Sequence, residues 1–99
     1  IVESHLSDIF NRLSEIGAKI NLMQNSALSF SILVDAEKVD IETILKTFRS
    51  DYEVRYNEGL ELVTIRHYDQ ATIDRVTIKK DILLEQFSRQ TARIVMKDK

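Results

Sequence analysis

The spacing of apolar residues changes at Gly17. Before it, Leu6, Ile9, Phe10, Leu13 and Ile16 recur at the helical interval. After it, Ile20 and Leu22, then Leu28, Phe30, Ile32 and Val34, recur at every second position. The first spacing lines one face of a helix and the second lines one face of a strand. No single element satisfies both, so this stretch must be a helix followed by strands. The helix is expected at about 5–16, with Ser4 as its N-cap, Asp8 in its early turns and Gly17 as the left-handed stop. Strands are expected at about 19–24 and 27–34, antiparallel because the connection is short. Ile20 and Leu22 should share one face, as should Leu28, Phe30, Ile32 and Val34.

The two periods then return. Ile41, Ile44, Leu45 and Phe48 give the stripe of a second helix at about 38–49, with Asp40 favouring its first turn. Tyr52, Val54 and Tyr56 alternate with Glu53 and Arg55, which predicts a strand at about 52–56. Asn57-Glu58-Gly59 predicts a hairpin turn into a strand at about 60–67, with Gly59 taking the positive φ. In that strand Leu60, Leu62 and Thr64 point one way, and Glu61, Val63 and Ile65 the other. Asp69 should cap a short helix at about 70–76, with Ile73 and Val76 inward. Ser88-Arg89-Gln90 should join strands at about 82–87 and 91–97. No internal repeat, low-complexity stretch or flexible linker is expected. The order α-β-β-α-β, then β-α-β-β, predicts an α+β fold with helices on one face of an antiparallel sheet.

Composition narrows the function classes. With 43% apolar and 30% charged residues the chain is an ordinary soluble domain. A net charge of −2 with both signs interspersed offers no basic field for nucleic acid. No apolar run is long enough to span a membrane. The opening Ile1-Val2-Glu3-Ser4 has no signal-peptide character and no initiator Met, so the chain is expected to be part of a longer protein. The absence of Cys removes disulfides, thiolate metal sites and Cys nucleophiles, and fits a cytosolic location. Gly17 and Gly59 stand alone, which excludes a glycine-rich phosphate loop. His5 and His67 lack metal-ligand spacing. Phe30 shares its face with Leu28, Ile32 and Val34, so it belongs to a core and not to a base-stacking platform. Lys79-Lys80 and the series Arg89, Arg93, Lys97, Lys99 are expected to be a solvated face, with an acidic partner as the alternative. No nucleophile–base arrangement can be named, so catalysis by these residues is not expected.

Two stretches carry a resemblance. "LSDIFNRLSEIGAKINLMQNSALSFSILVD", Leu6 to Asp35, resembles the ACT domain of aspartate kinases, and "NEGLELVTIRHYD", residues 57 to 69, resembles the start of the second ACT unit in the same enzymes. The likeness covers roughly residues 4 to 97. It implies a ferredoxin-like βαββαβ unit in residues 1–57, lacking its first strand because Ile1–Ser4 leave no room for one, and a partial second unit in 58–99. It also implies a cytoplasmic, feedback-regulated enzyme of amino-acid biosynthesis. Its kinase domain, which uses ATP and Mg, lies outside these residues, and no cofactor belongs to the region itself. The implied partners are a second copy, through ACT–ACT pairing, and an amino-acid effector, lysine or another product of the aspartate pathway. The positions aligned with the family's effector site are His5, Leu6, Ile20, Asn21, Asn25, Ser26, Ala27 and Leu28. Backbone groups at a turn and short polar side chains supply the donors and acceptors a zwitterion needs. The alternative is an ACT-like module that only holds subunits together.

Overall fold

The computed structural model describes residues 3–99. The described residues form an α+β fold with three helices and antiparallel sheets. It divides into two compact units, one ending at Arg55 and one running from Tyr56 to Lys99.

In the first unit, α1 (Glu3–Glu15) packs its apolar stripe inward, with Ile9 and Leu13 buried. Ser4 lies inside the helix and is not its cap. A Ser and an acid are well tolerated in a first turn, where Glu3 faces the positive end of the helix dipole. The expectation of a missing strand before this helix falls partly on Ile1 and Val2, which lie outside the described residues. The C-terminus closes as expected. Gly17 takes φ 74°, its N–H donates to Ser14 O, and the Ala18 N–H donates to Leu13 O at 3.0 Å. These are the paired bonds that satisfy the last helical carbonyls.

Two strands follow, β1 (Ile20–Asn25) and β2 (Phe30–Val34), paired antiparallel. α2 (Ile41–Phe48) begins at Asp40, whose carboxylate accepts the Thr43 N–H at 2.8 Å. Ile9, Leu13 and Phe48 form the core, against Ile16, Ile20, Phe30, Ile32, Ile44, Tyr52 and Val54. Both helices therefore contribute to the same cluster as one face of the hairpin.

Ile20 and Leu22 do not share a face. The register skips at Asn21, so Ile20 stands opposite Val34 while Leu22 stands opposite Leu33. This extra residue is a β-bulge, which turns the following side chains over. Leu22 is buried, but it lies away from the helix-facing cluster. Leu28 is outside β2, in the turn, and is 96% exposed. Finally, 52–56 is not a strand. Its pattern alternates, yet no strand lies in register beside it. Tyr52 and Val54 instead pack on the core. With no strand there, Asn57-Glu58-Gly59 closes no hairpin, although Gly59 does take φ 69°.

In the second unit, β3 (Glu61–Arg66), α3 (Gln70–Val76), β4 (Lys80–Phe87) and β5 (Thr91–Asp98) follow in order. The sheet order is β3-β5-β4, so the last strand is central. Asp69 caps α3, accepting the Thr72 N–H at 2.7 Å. Ile73 packs on Ala92, Ile94 and Met96, with Val63, Ile65 and Tyr68 around them. The alternation expected for β3 holds, because Val63 is paired with Ile94 and Ile65 with Ala92. Val95 is also buried, on the other face, opposite Leu62 and Leu84. In place of the single sheet anticipated from the element order, the described residues form two: β1-β2, and β3-β5-β4.

Candidate functional site

The turn between β1 and β2 is held by its own polar groups. The Ser26 N–H donates to Ser29 O at 2.9 Å, and the Ser29 N–H donates to Ser26 Oγ at 3.1 Å. The two hydroxyls lie 2.9 Å apart. Asn25, Ser26, Ala27 and Leu28 are all exposed around this turn. Asn21 marks the bulge at the other end of β1 and is half-buried, and Ile20 beside it enters the core. Bulges re-aim side chains next to sites. The other two aligned residues lie on the first turns of α1. Leu6 is half-buried, and exposed His5 meets the Tyr52 ring edge-on at 6.1 Å. The structure thus groups Asn25–Leu28 in one turn and sets Ile20 and Asn21 at the opposite end of the same strand.

The strongest electrostatic feature of this unit was not anticipated. Arg12, on α1, gathers the C-terminal end of α2. Its guanidinium donates to Asp8 Oδ1 at 3.1 Å and to Thr47 O at 2.9 Å, and it pairs with Asp51 Oδ2 at 2.7 Å. It also lies 5.9 Å from the Phe48 ring centroid and 5.8 Å from that of Tyr52. The Tyr52 hydroxyl donates to Asp8 Oδ2 at 2.8 Å. That bond, with the Arg12 guanidinium, holds the Asp8 carboxyl below its usual range, and the same bond raises the Tyr52 phenol. The i, i+4 spacing of Asp8 and Arg12 signals their pair, but nothing local points to Asp51 or Tyr52.

The second unit repeats the first hairpin. The register of β4 skips at Leu83, so Ile82 stands opposite Met96 while Leu84 stands opposite Val95. Ser88 and Thr91 reproduce the turn: the Ser88 N–H donates to Thr91 O at 2.9 Å, and the Thr91 N–H donates to Ser88 Oγ at 3.2 Å. Each of these residues lies 62 positions after its counterpart. Ile20 matches Ile82, Leu22 matches Leu84, Gln24 matches Gln86, Ser26 matches Ser88 and Ile32 matches Ile94. The left-handed stop recurs as well, Gly17 at φ 74° and Lys79 at φ 57°. The expectation of no internal repeat is therefore wrong. The signal was present as I-x-L-x-Q-x-S, which occurs at 20–26 and again at 82–88.

Lys79-Lys80 is not a simple solvated pair. Lys80 Nζ bonds both Glu61 and Asp98, joining the ends of all three strands, and these two carboxylates, Asp98 foremost, raise its pKa. Two shallow concavities flank the second turn, of about 180 Å³ beside Gln86, Ser88 and Arg93, and about 250 Å³ beside Arg66, His67 and Gln90, with Thr91 lining both. Among the described residues no helix is long and apolar enough to cross a membrane, and no group of three or more His, Asp or Glu residues is placed to hold a metal ion. No family model matches the chain, and no curated protein matches it significantly.

Proposed function

We propose that this chain is the regulatory ACT region of an aspartate kinase, a cytoplasmic amino-acid sensor that controls a kinase domain located elsewhere in the protein. The observation that carries the reading is the repeated hairpin. Two copies of helix, left-handed stop, bulged strand, Ser-x-x-Ser/Thr turn and strand are what tandem ferredoxin-like units contribute. The first unit supplies the α-β-β-α part of such a fold, and the second supplies β-α-β-β. In this reading two copies pair through their ACT units. An aspartate-pathway amino acid, lysine foremost, is held between the two copies, which together supply the β1–β2 turn, Asn21 and the start of α1. Binding alters activity in so far as the ligand prefers one state of the assembly.

A second reading is an assembly module with no effector. The exposed Leu28 side chain at the turn favours it, since an apolar tip suits a protein contact better than a zwitterion. Thermal unfolding with lysine, threonine or methionine, at two protein concentrations, separates the two. A ligand at about 100 times its dissociation constant adds about 2.7 kcal/mol to the folded state. The effector reading expects a rise of several degrees with one amino acid. No rise with any of them, together with a midpoint that climbs with protein concentration, selects the assembly reading.

A further inference from the structure

We propose that the face of the second sheet opposite α3 binds a small oxyanion between Arg66 and Arg93, beside the β4–β5 turn. Cross-strand pairing fixes the arrangement. Arg66 is opposite Thr91, and Arg93 is flanked by Thr64 on β3 and Gln86 on β4. Directly paired residues share a face, so Arg66, Thr64, Thr91, Arg93 and Gln86 all project from the same side. The two arginines are diagonal neighbours on adjacent strands, at a separation long side chains span. The acids of the sheet lie elsewhere. Glu61 and Glu85 pair with Met96 and Ile94 on the face that α3 covers, and Asp81 sits at the far end, paired with Lys97. Arg66 is exposed and holds no ion pair among the described residues.

The concavities coincide with this acid-free half of the face. Arg66 lines the larger and Arg93 the smaller, and Thr91 connects them. The rim is strained. His67 takes φ 53°, a left-handed conformation costly for a side chain, while its N–H donates to Gln90 O and so closes the strand ends. Guanidinium forks match carboxylate and phosphate oxygens in pairs, and Thr and Gln side chains add neutral donors. The shared chemistry is therefore a carboxylate or a phosphoryl oxyanion. The first unit lacks this equipment on the same scaffold, because Ser31 stands where Arg93 does, 62 positions earlier. The site does not depend on the amino-acid reading, whose residues are in the other unit.

The test is an amide chemical-shift titration of the chain with inorganic phosphate, sulfate or succinate, at ionic strength held constant with chloride. Saturable shifts are expected at Arg66, His67, Gln90, Thr91 and Arg93. Arg66→Gln should weaken binding about tenfold or more, the loss of a charge-assisted bond. Arg66→Lys, which keeps the charge and loses the fork, should weaken it less, and Arg49→Gln in the first unit should leave it unchanged. Saturation with phosphate and sulfate alone assigns a phosphoryl ligand, and saturation with succinate alone assigns a carboxylate. Shifts that never saturate, or saturation indifferent to both Arg66 variants, would overturn the proposal.

Discussion

The two hairpins share a bulge, a turn and a register, yet they are covered differently. In the first unit a helix of 13 residues and another of 8 both pack on the hairpin, and Arg12 ties them together through Asp8, Asp51 and two aromatic rings. In the second unit a helix of 7 residues covers the centre of the sheet, and Ile82 and Phe87 on the β4 edge remain 43% and 51% exposed. The charged fastener there, Lys80, joins strand ends instead of helices. The pattern of a hairpin is thus a local property that a chain can repeat. What covers the hairpin, and which charges face it, is set separately for each copy.

The largest test of this separation is truncation of each core. Leu13→Ala and Ile94→Ala each remove a side chain at most 1% exposed. Each should cost about 2–5 kcal/mol. Hydrogen exchange should show the loss of protection mainly before residue 56 for the first and after it for the second. Equal loss in both units from either change would break the comparison.

A smaller effect concerns acid. The folded pKa of Asp8 lies below its unfolded value, so its contribution is present above the ordinary carboxylate range and lost as pH falls through the depressed folded value. Asp40 and Asp69, each bonded at a helix start, behave alike, one in each unit. Both units should therefore weaken below about pH 4. Asp8→Asn should flatten that acid dependence in the first unit alone, as followed by its amide signals during acid titration. An unchanged profile there would mean the Arg12 cluster contributes nothing to acid sensitivity.

The smallest effect is at the two left-handed stops. Neither is equivalent in cost, since Gly17 adopts φ 74° freely and Lys79 must strain to reach φ 57°. An added Cβ at Gly17 meets nothing within 4 Å, so Gly17→Ala tests conformation alone. It should cost about 1 kcal/mol, whereas Lys79→Gly should be neutral or slightly stabilising in denaturant unfolding.

Much of the fold was legible because it is encoded locally. The cap at Asp69, the stop at Gly17 and the alternation of Val63 and Ile65 each follow from a residue and its near neighbours, whereas Asp40, expected in the first turn of α2, stands just before the helix as its cap. The misses share a cause. The alternation at 52–56 is real, but a strand exists only where a second strand pairs with it. The bulges at Asn21 and Leu83 are properties of a pair of strands, so neither Leu22 nor Leu84 shows its face in the spacing of its own strand. Arg12 meets Asp51 and Tyr52 across about 40 residues, beyond any local pattern. For the aligned effector positions, the spacing placed Asn25 and Ser26 in the turn but Ala27 and Leu28 in the next strand, and the bulge at Asn21 depends on how two strands pair.

The most direct test of the account is residue-resolved. The amide spectrum of the chain would be titrated with lysine, threonine and methionine in turn. The regulatory reading predicts saturable shifts from one of them at Asn21 and Asn25–Leu28, with the matching position 83 unmoved. Shifts confined to the second hairpin, or none with any amino acid, would contradict it.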